Sequence, residues 1–154
     1  MMHSGGLFAT GSFQDLHVPP PLLTTCAVQA KRVLLCSGKV YYELLAHREE
    51  LGLDNVAIGR VEQICPFPFD LVADELKAHP DAEVMWVQEE PRNQGAWTYV
   101  RPRVETAVQH YLGDSSFRVK YAGRPVSAAT AVGSAAAHKA DQARLMRAAF
   151  ADLE

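Results

Sequence analysis

The chain has 154 residues, 48% of them hydrophobic and 21% charged, with a formal net charge of -3 at pH 7. That is room for one domain with a core of its own, and not for two. The balance excludes the basic footprint of a nucleic-acid binder, and no run approaches the ~18 apolar residues a membrane helix needs. The three cysteines, Cys26, Cys36 and Cys65, are odd in number and contain no CxxC pair. Neither a disulfide framework nor a zinc site is therefore expected, and a reducing compartment is the default.

Residues 1–30 are rich in Gly, Ser, Thr and Pro, with Pro19, Pro20 and Pro21 in a row. Lacking arginine, this leader does not have the pattern of a transit peptide, and lacking a basic start and apolar run it does not have that of a secretory signal. It is expected to be disordered or loosely packed. From Lys31 the texture changes. Lys31–Cys36 is a short apolar run closed by Ser37 and Gly38, a buried strand. Val40, Tyr41, Leu44 and Leu45 then recur at helical spacing, with Gly52 placed to stop the helix.

Asn55–Val61 is a second strand. Pro66 and Pro68 end it, and a helix begins near Pro68, with Leu71, Val72 and Leu76 on its apolar face. Ala82–Gln88 is a third strand, and Glu89–Gly95 is expected as a polar turn. Trp97, Val100, Val104, Val108 and Tyr111 form an amphipathic stripe, with Pro102 predicting either a kink or a helix that starts near it. Phe117–Tyr121 suits a fourth strand, closed by Ala122–Pro125. Ser134 is a candidate cap for a last helix burying Ala137, Leu145, Met146 and Phe150. Strand and helix alternate four times, so the expected fold is α/β: an open, mostly parallel sheet with helices on both faces.

In such sheets ligands sit beyond the carboxyl ends of the strands. Ser37, Gly38 and Lys39 combine helix-start N–H groups with a lysine, a candidate anion or effector site. No P-loop or GxGxxG pattern supports it, and the bland alternative is a tight turn with a solvated lysine. Glu89 and Glu90 are adjacent and point apart on an extended chain, which suits interface or structural roles better than an acid–base pair. His138 stands without HxxxH or HxxE partners, and Cys36 and Cys65 lack a Cys-His-Asp constellation. No catalytic residue and no metal site can be assigned.

Four strings are familiar together: Leu35–Leu44 (LCSGKVYYEL), Val61–Asp70 (VEQICPFPFD), Trp86–Trp97 (WVQEEPRNQGAW), and Tyr121–Pro125 followed by Ser127, Ala128, Ala129, Gly133, Ser134 and His138. In order and spacing the stretch from about Lys31 to Phe150 resembles the C-terminal domain of the decarboxylating component of 2-oxoglutarate dehydrogenase. The resemblance implies a transketolase C-terminal-like fold in residues 31–154. It also implies a parent enzyme of the tricarboxylic acid cycle that decarboxylates 2-oxoglutarate on thiamine diphosphate with magnesium and passes the succinyl group to a lipoyl succinyltransferase. In that family the cofactor and substrate residues lie in upstream domains. The resemblance thus implies a severed end, catalytically inactive alone and binding no cofactor, which packs against the rest of the subunit and its dimer mate. Its setting would be the mitochondrial matrix in a eukaryote and the cytoplasm in a bacterium.

Candidate contacts on this reading are Pro66, Phe67, Glu89, Glu90, Asn93, Trp97 and His138. Gln63 and Arg124 join Ser37, Gly38 and Lys39 as candidate effector residues. Some bacterial relatives carry paired arginines after the proline motif, used for an acyl-CoA activator. Here Asp70 and Leu71 stand there and only Gln63 matches, so the cations such a ligand needs are missing. Ala135 and Ala136 likewise replace lysines common near the tail. A free-standing interaction or anionic-effector module is the alternative reading.

Overall fold

The computed structural model describes residues 22–25 and 29–153. Its elements, in chain order, are β1 (Leu22–Thr25), β2 (Arg32–Cys36), α1 (Val40–Glu50), β3 (Val56–Val61), α2 (Phe69–Ala78), β4 (Glu83–Pro91), α3 (Trp97–Leu112), β5 (Lys120–Arg124) and α4 (Ala135–Phe150). The strands form one sheet in the order β1-β3-β2-β4-β5. The β2, β3, β4 and β5 strands run parallel to one another, while β1 pairs antiparallel with β3, Leu22 opposite Val61 and Thr25 opposite Ile58. The α/β class and the mostly parallel open sheet are as the sequence predicts.

Strand parity divides the core. Val33, Leu35, Ala57, Val61, Val84 and Trp86 face one way, against Val72 and Leu76 of α2 and Val100, Val104 and Val108 of α3. Leu34, Cys36, Val56, Ile58, Met85 and Val87 face the other, against Val40 and Leu44 of α1 and Leu145, Ala149 and Phe150 of α4. Strands buried on both faces read as continuous apolar runs, which is why β2 and β3 are visible in sequence. The α1 helix yields to Gly52, whose φ of 63° continues the chain in a conformation other residues resist.

Several expectations need correction. Leu22–Thr25 is a strand, inside the stretch expected to be disordered or loosely packed; the rest of that stretch, at 1–21 and 26–28, is outside the described residues. Glu89, Glu90 and Pro91 belong to β4 and not to a turn, because Pro91 pairs with Arg124 across a bulge that needs no proline N–H. Ala122–Arg124 likewise continues β5, whose pairing begins at Lys120 and leaves Phe117–Val119 outside the strand. The α3 helix runs through Pro102, its first turn lying before the proline. Leu71, Tyr111 and Ala137 are exposed: Leu71 is turned away from the face that buries Val72, Ala73 and Leu76, while Tyr111 lies in the last turn of α3 and Ala137 in the first turn of α4.

At the amino ends of the strands, Arg32 is buried and bridges three elements. Its Nη1 donates to the Ala149 and Ala151 carbonyls at 2.8 Å each, at the negative end of α4, and its Nη2 lies 2.7 Å from Glu83 of β4. Lys120 of β5 also meets Glu83. Burial alone would raise the Glu83 carboxyl, but Lys120 and Arg32 outweigh it and hold the group below its ordinary range. A carboxylate lowered on folding stabilises the fold fully above its unfolded value, and that contribution disappears as pH falls through the folded value. Glu83→Gln is therefore expected to lower stability at neutral pH and to flatten the acid limb of stability against pH, as read by urea unfolding at a series of pH values. An unchanged acid limb would remove Glu83 from that role.

Candidate functional site

The chain passes from β2 through α1 to β3 on one side, then from β3 through α2 to β4 on the other side of β2. Strand order reverses there, which opens a crevice between the carboxyl ends of β2 and β4. Gly38, with φ of 73°, turns the chain from β2 into α1 and sets Lys39 over this crevice. The Lys39 ammonium lies 2.7 Å from Glu89 and 3.2 Å from Glu43. Its hydrogen bond to Glu89, more than any other contact, raises its pKa. The lysine of the candidate anion site is thus already held by two carboxylates, one of which is itself a candidate contact residue.

Next to it, a cleft of about 220 Å³ is bordered by Glu89, Glu90, Arg124, His138, Asp141 and Gln142 among others. The β4 and β5 strand ends supply Glu89, Glu90 and Arg124, while the first turns of α4 supply the rest. Ser134 caps that helix as the sequence predicts, its hydroxyl accepting from the Ala137 N–H at 3.2 Å. Arg124 Nε lies 3.0 Å from Asp141, and Asp141 also meets Arg144 at 3.1 Å. Gln142 donates to Glu43, linking α4 to α1 across the same edge. Four sequence candidates, Glu89, Glu90, Arg124 and His138, therefore share one cleft, with Lys39 tied to it through Glu89.

The remaining candidates lie elsewhere. Gln63 donates to the Pro66 carbonyl at 3.1 Å inside its own loop, which carries a cis Cys65–Pro66 bond. Pro66 is exposed, but Phe67 and Trp97 are only 6% and 4% exposed and pack in the core on the α2 and α3 side. Asn93 and Ser127 exchange two hydrogen bonds, Asn93 Nδ2 to the Ser127 carbonyl at 3.0 Å and the Ser127 N–H to Asn93 Oδ1 at 3.1 Å. That pair ties the turn after β4 to the loop after β5. Ser37 is partly covered at the mouth of the crevice.

Sequence reading missed Gln88. Its Oε1 accepts from Trp86 Nε1 at 3.0 Å and from the Trp97 N–H at 2.9 Å, and its Nε2 donates to the Gln94 carbonyl at 2.8 Å and that of Pro91 at 3.2 Å. This buried amide fixes the whole connection from β4 to α3. The only sequence signal is a polar residue closing an apolar run between two tryptophans.

The chemistry available is limited by how these groups are spent. Arg60 lies 2.7 Å from Glu62, so the strand-end cations Lys39, Arg60 and Arg124 each face a carboxylate. Among the described residues no group of three His, Cys, Asp or Glu is placed to hold a metal. Burial, only partly offset by Arg60, pushes the Cys36 thiol up to about 12. Iodoacetamide at pH 8 is therefore expected to label exposed Cys65 and to spare Cys36, as mapped by peptide mass analysis. Rapid labelling of Cys36 would contradict its place in the core. Among the described residues no helix is long and apolar enough to cross a membrane.

Comparison with known proteins places this geometry. The family model described as 2-oxoglutarate dehydrogenase C-terminal matches residues 7–150, so the match begins within the stretch that the sequence set apart as a leader. The chain is 46% identical over 132 residues to the 2-oxoglutarate dehydrogenase E1 component of Cupriavidus necator, covering 83% of this chain and 13% of that protein. It is 44% identical over 120 residues to the E1 components of Brucella anthropi and Brucella melitensis, covering 78% of this chain and 12% of each. The chain thus spans roughly an eighth of the length of these relatives. With a matching family model across nearly all its length, this chain belongs to the 2-oxoglutarate dehydrogenase C-terminal family.

Proposed function

We propose that the chain acts as the C-terminal structural and dimerisation domain of a 2-oxoglutarate dehydrogenase decarboxylating subunit. One observation carries this reading. At the carboxyl edge of the sheet Lys39, Arg60 and Arg124 each meet a carboxylate, while large hydrophobic side chains stand open: Tyr42 at the start of α1 is 61% exposed, its hydroxyl accepting from Arg60, Leu71 at the start of α2 is 37% exposed and Val126 after β5 70%. Together with exposed Pro66 in the loop after β3, they suit surfaces that are desolvated against another protein. A paired charge is costly to strip of its partner, whereas an exposed apolar side chain gains from burial.

On this reading the remainder of the subunit and its dimer mate cover that edge. The parent reaction is oxidative decarboxylation of 2-oxoglutarate on thiamine diphosphate and magnesium, with succinyl transfer to the lipoyl arm of a succinyltransferase. This chain contributes packing surface, and the other domains contribute the reacting groups. The relatives named above are bacterial, which supports a cytoplasmic setting for the parent complex.

The test is complementation. The chain is mixed with a homologous decarboxylating subunit lacking its own C-terminal domain, and assayed with 2-oxoglutarate, thiamine diphosphate, magnesium and an artificial electron acceptor. Co-elution of the two and restored turnover are expected, with no turnover from the chain alone, and Tyr42→Ser with Leu71→Ser weakens the association. Turnover by the chain alone, or failure of the two parts to associate, would overturn the proposal.

A further inference from the structure

The cations at the carboxyl edge divide into two kinds. Lys39, Arg60 and Arg124 each meet a carboxylate within 3.0 Å. Arg92 and Arg101 do not. Their guanidinium groups lie 5.9 Å from the centre of the Trp97 ring, and that of Arg92 also lies 5.5 Å from the Tyr121 ring. Neither has a carboxylate partner among the described residues, and both are exposed. Two guanidiniums therefore flank one indole with their charges unneutralised.

The setting holds them in place. The Arg92 N–H donates to the Arg124 carbonyl at 3.0 Å, fixing its backbone to the end of β5. Arg101 rises from α3 one turn beyond Trp97, whose own N–H is anchored by Gln88. The first turn of α3 carries no acidic residue of its own; Gln88 accepts from its first N–H, and the Glu90 side chain lies against Gly95 just before it. A guanidinium laid near a ring keeps its N–H edge available for an oxygen pair, with less freedom to lose on binding.

We propose that Arg92 and Arg101, braced on Trp97 and Tyr121, form a docking point for an acidic peptide segment of a protein partner. The matching chemistry is the planar carboxylate, which takes a guanidinium fork through two parallel hydrogen bonds. Nucleic acid fits less well. Trp97 is 4% exposed and offers no open face on which a base could stack. The inference goes beyond the structural role proposed above and does not depend on it, since its test uses this chain by itself.

A fluorescein-labelled glutamate-rich peptide is titrated with the full chain at low ionic strength and followed by anisotropy. Arg92→Gln with Arg101→Gln is expected to weaken binding by about tenfold or more. A control with Lys139→Gln and Arg147→Gln, exposed cations on α4, changes net charge equally and is expected to stay within about twofold. Thermal unfolding checks that both variants remain folded. No binding by the unmodified chain, equal weakening in both variants, or tighter binding of an oligothymidine than of the peptide would each overturn the proposal.

Discussion

Trp86→Ala is expected to lower stability by roughly 3–5 kcal/mol, more than any other single truncation in the β4 strand. Trp86 sits between β2 and β5 in the sheet and is 1% exposed. Its ring fills the layer between the sheet and the α2 and α3 helices, alongside Val33, Leu35 and Val104. Removing it costs the transfer of a large apolar surface and leaves a void whose walls belong to several elements, few of which can move inward. For a domain of this length the loss corresponds to a drop of about 10 °C in unfolding temperature. Trp86→Phe keeps most of the volume and forgoes the indole N–H, so it separates packing from the hydrogen bond to Gln88. A Trp86→Ala variant unfolding within about 2 °C of the unmodified chain would mean that the void closes, and that the layer is looser than its burial indicates.

The second large effect is expected at Gln88. Truncation to Ala leaves the Trp86 indole N–H and the Trp97 backbone N–H without their acceptor, and the Gln94 and Pro91 carbonyls without a donor. A buried group stripped of its partner costs about 1–3 kcal/mol, with water repairing what it can reach. The sum for Gln88→Ala is about 2–4 kcal/mol, because the Gln94 carbonyl lies near enough to the surface for water to replace the amide. Gln88→Glu should keep the acceptor and lose the amide donors, so it restores only part of the loss and adds the cost of a buried charge. Trp97 should report the change directly, since freeing its N–H loosens the first turn of α3 and shifts tryptophan emission to longer wavelength. Gln88→Ala with full stability and unshifted emission would deny the amide its bridging role.

The same amide shows where sequence reasoning reaches its limit. The β2 and β3 strands are legible because both faces of each are covered, and a short continuous apolar run bounded by Gly or Asn fits a buried strand better than a helix. Ser134, Gly52 and the helix start at Pro68 are legible because caps and breakers act locally. The continuation of β4 through Glu89, Glu90 and Pro91 is not, since charge and proline are turn signals until a bulge against Arg124 is known. Leu71, Tyr111 and Ala137 satisfy helical spacing, yet spacing does not say which of those positions a neighbouring layer covers. The β1 strand pairs over four residues, too few for periodicity to register within a Pro- and Gly-rich stretch.

Placement of the candidate residues follows the same division. The rule that sites gather at the carboxyl ends of parallel strands brings Lys39, Glu89, Glu90, Arg124 and His138 to one edge. What sequence could not show is which charges would neutralise each other. Glu43 and Asp141 reach that edge from helices on the α1 and α4 side, and their pairing with Lys39 and Arg124 depends on the fold as a whole. Phe67 and Trp97, attractive as contact anchors in sequence, are instead consumed by the core of this chain.

Among the described residues the two outermost strands of the sheet are short, β1 with four residues and β5 with five. A sheet margin invites further backbone pairing in proportion to its length and flatness, and an intruding strand gains little from so few rungs. At the β5 margin a charged Lys120 stands at the first rung and the bulge near Pro91 twists the last one out of line. Recruitment of additional chains through backbone addition, the first step toward fibrils, is therefore disfavoured at the β5 margin.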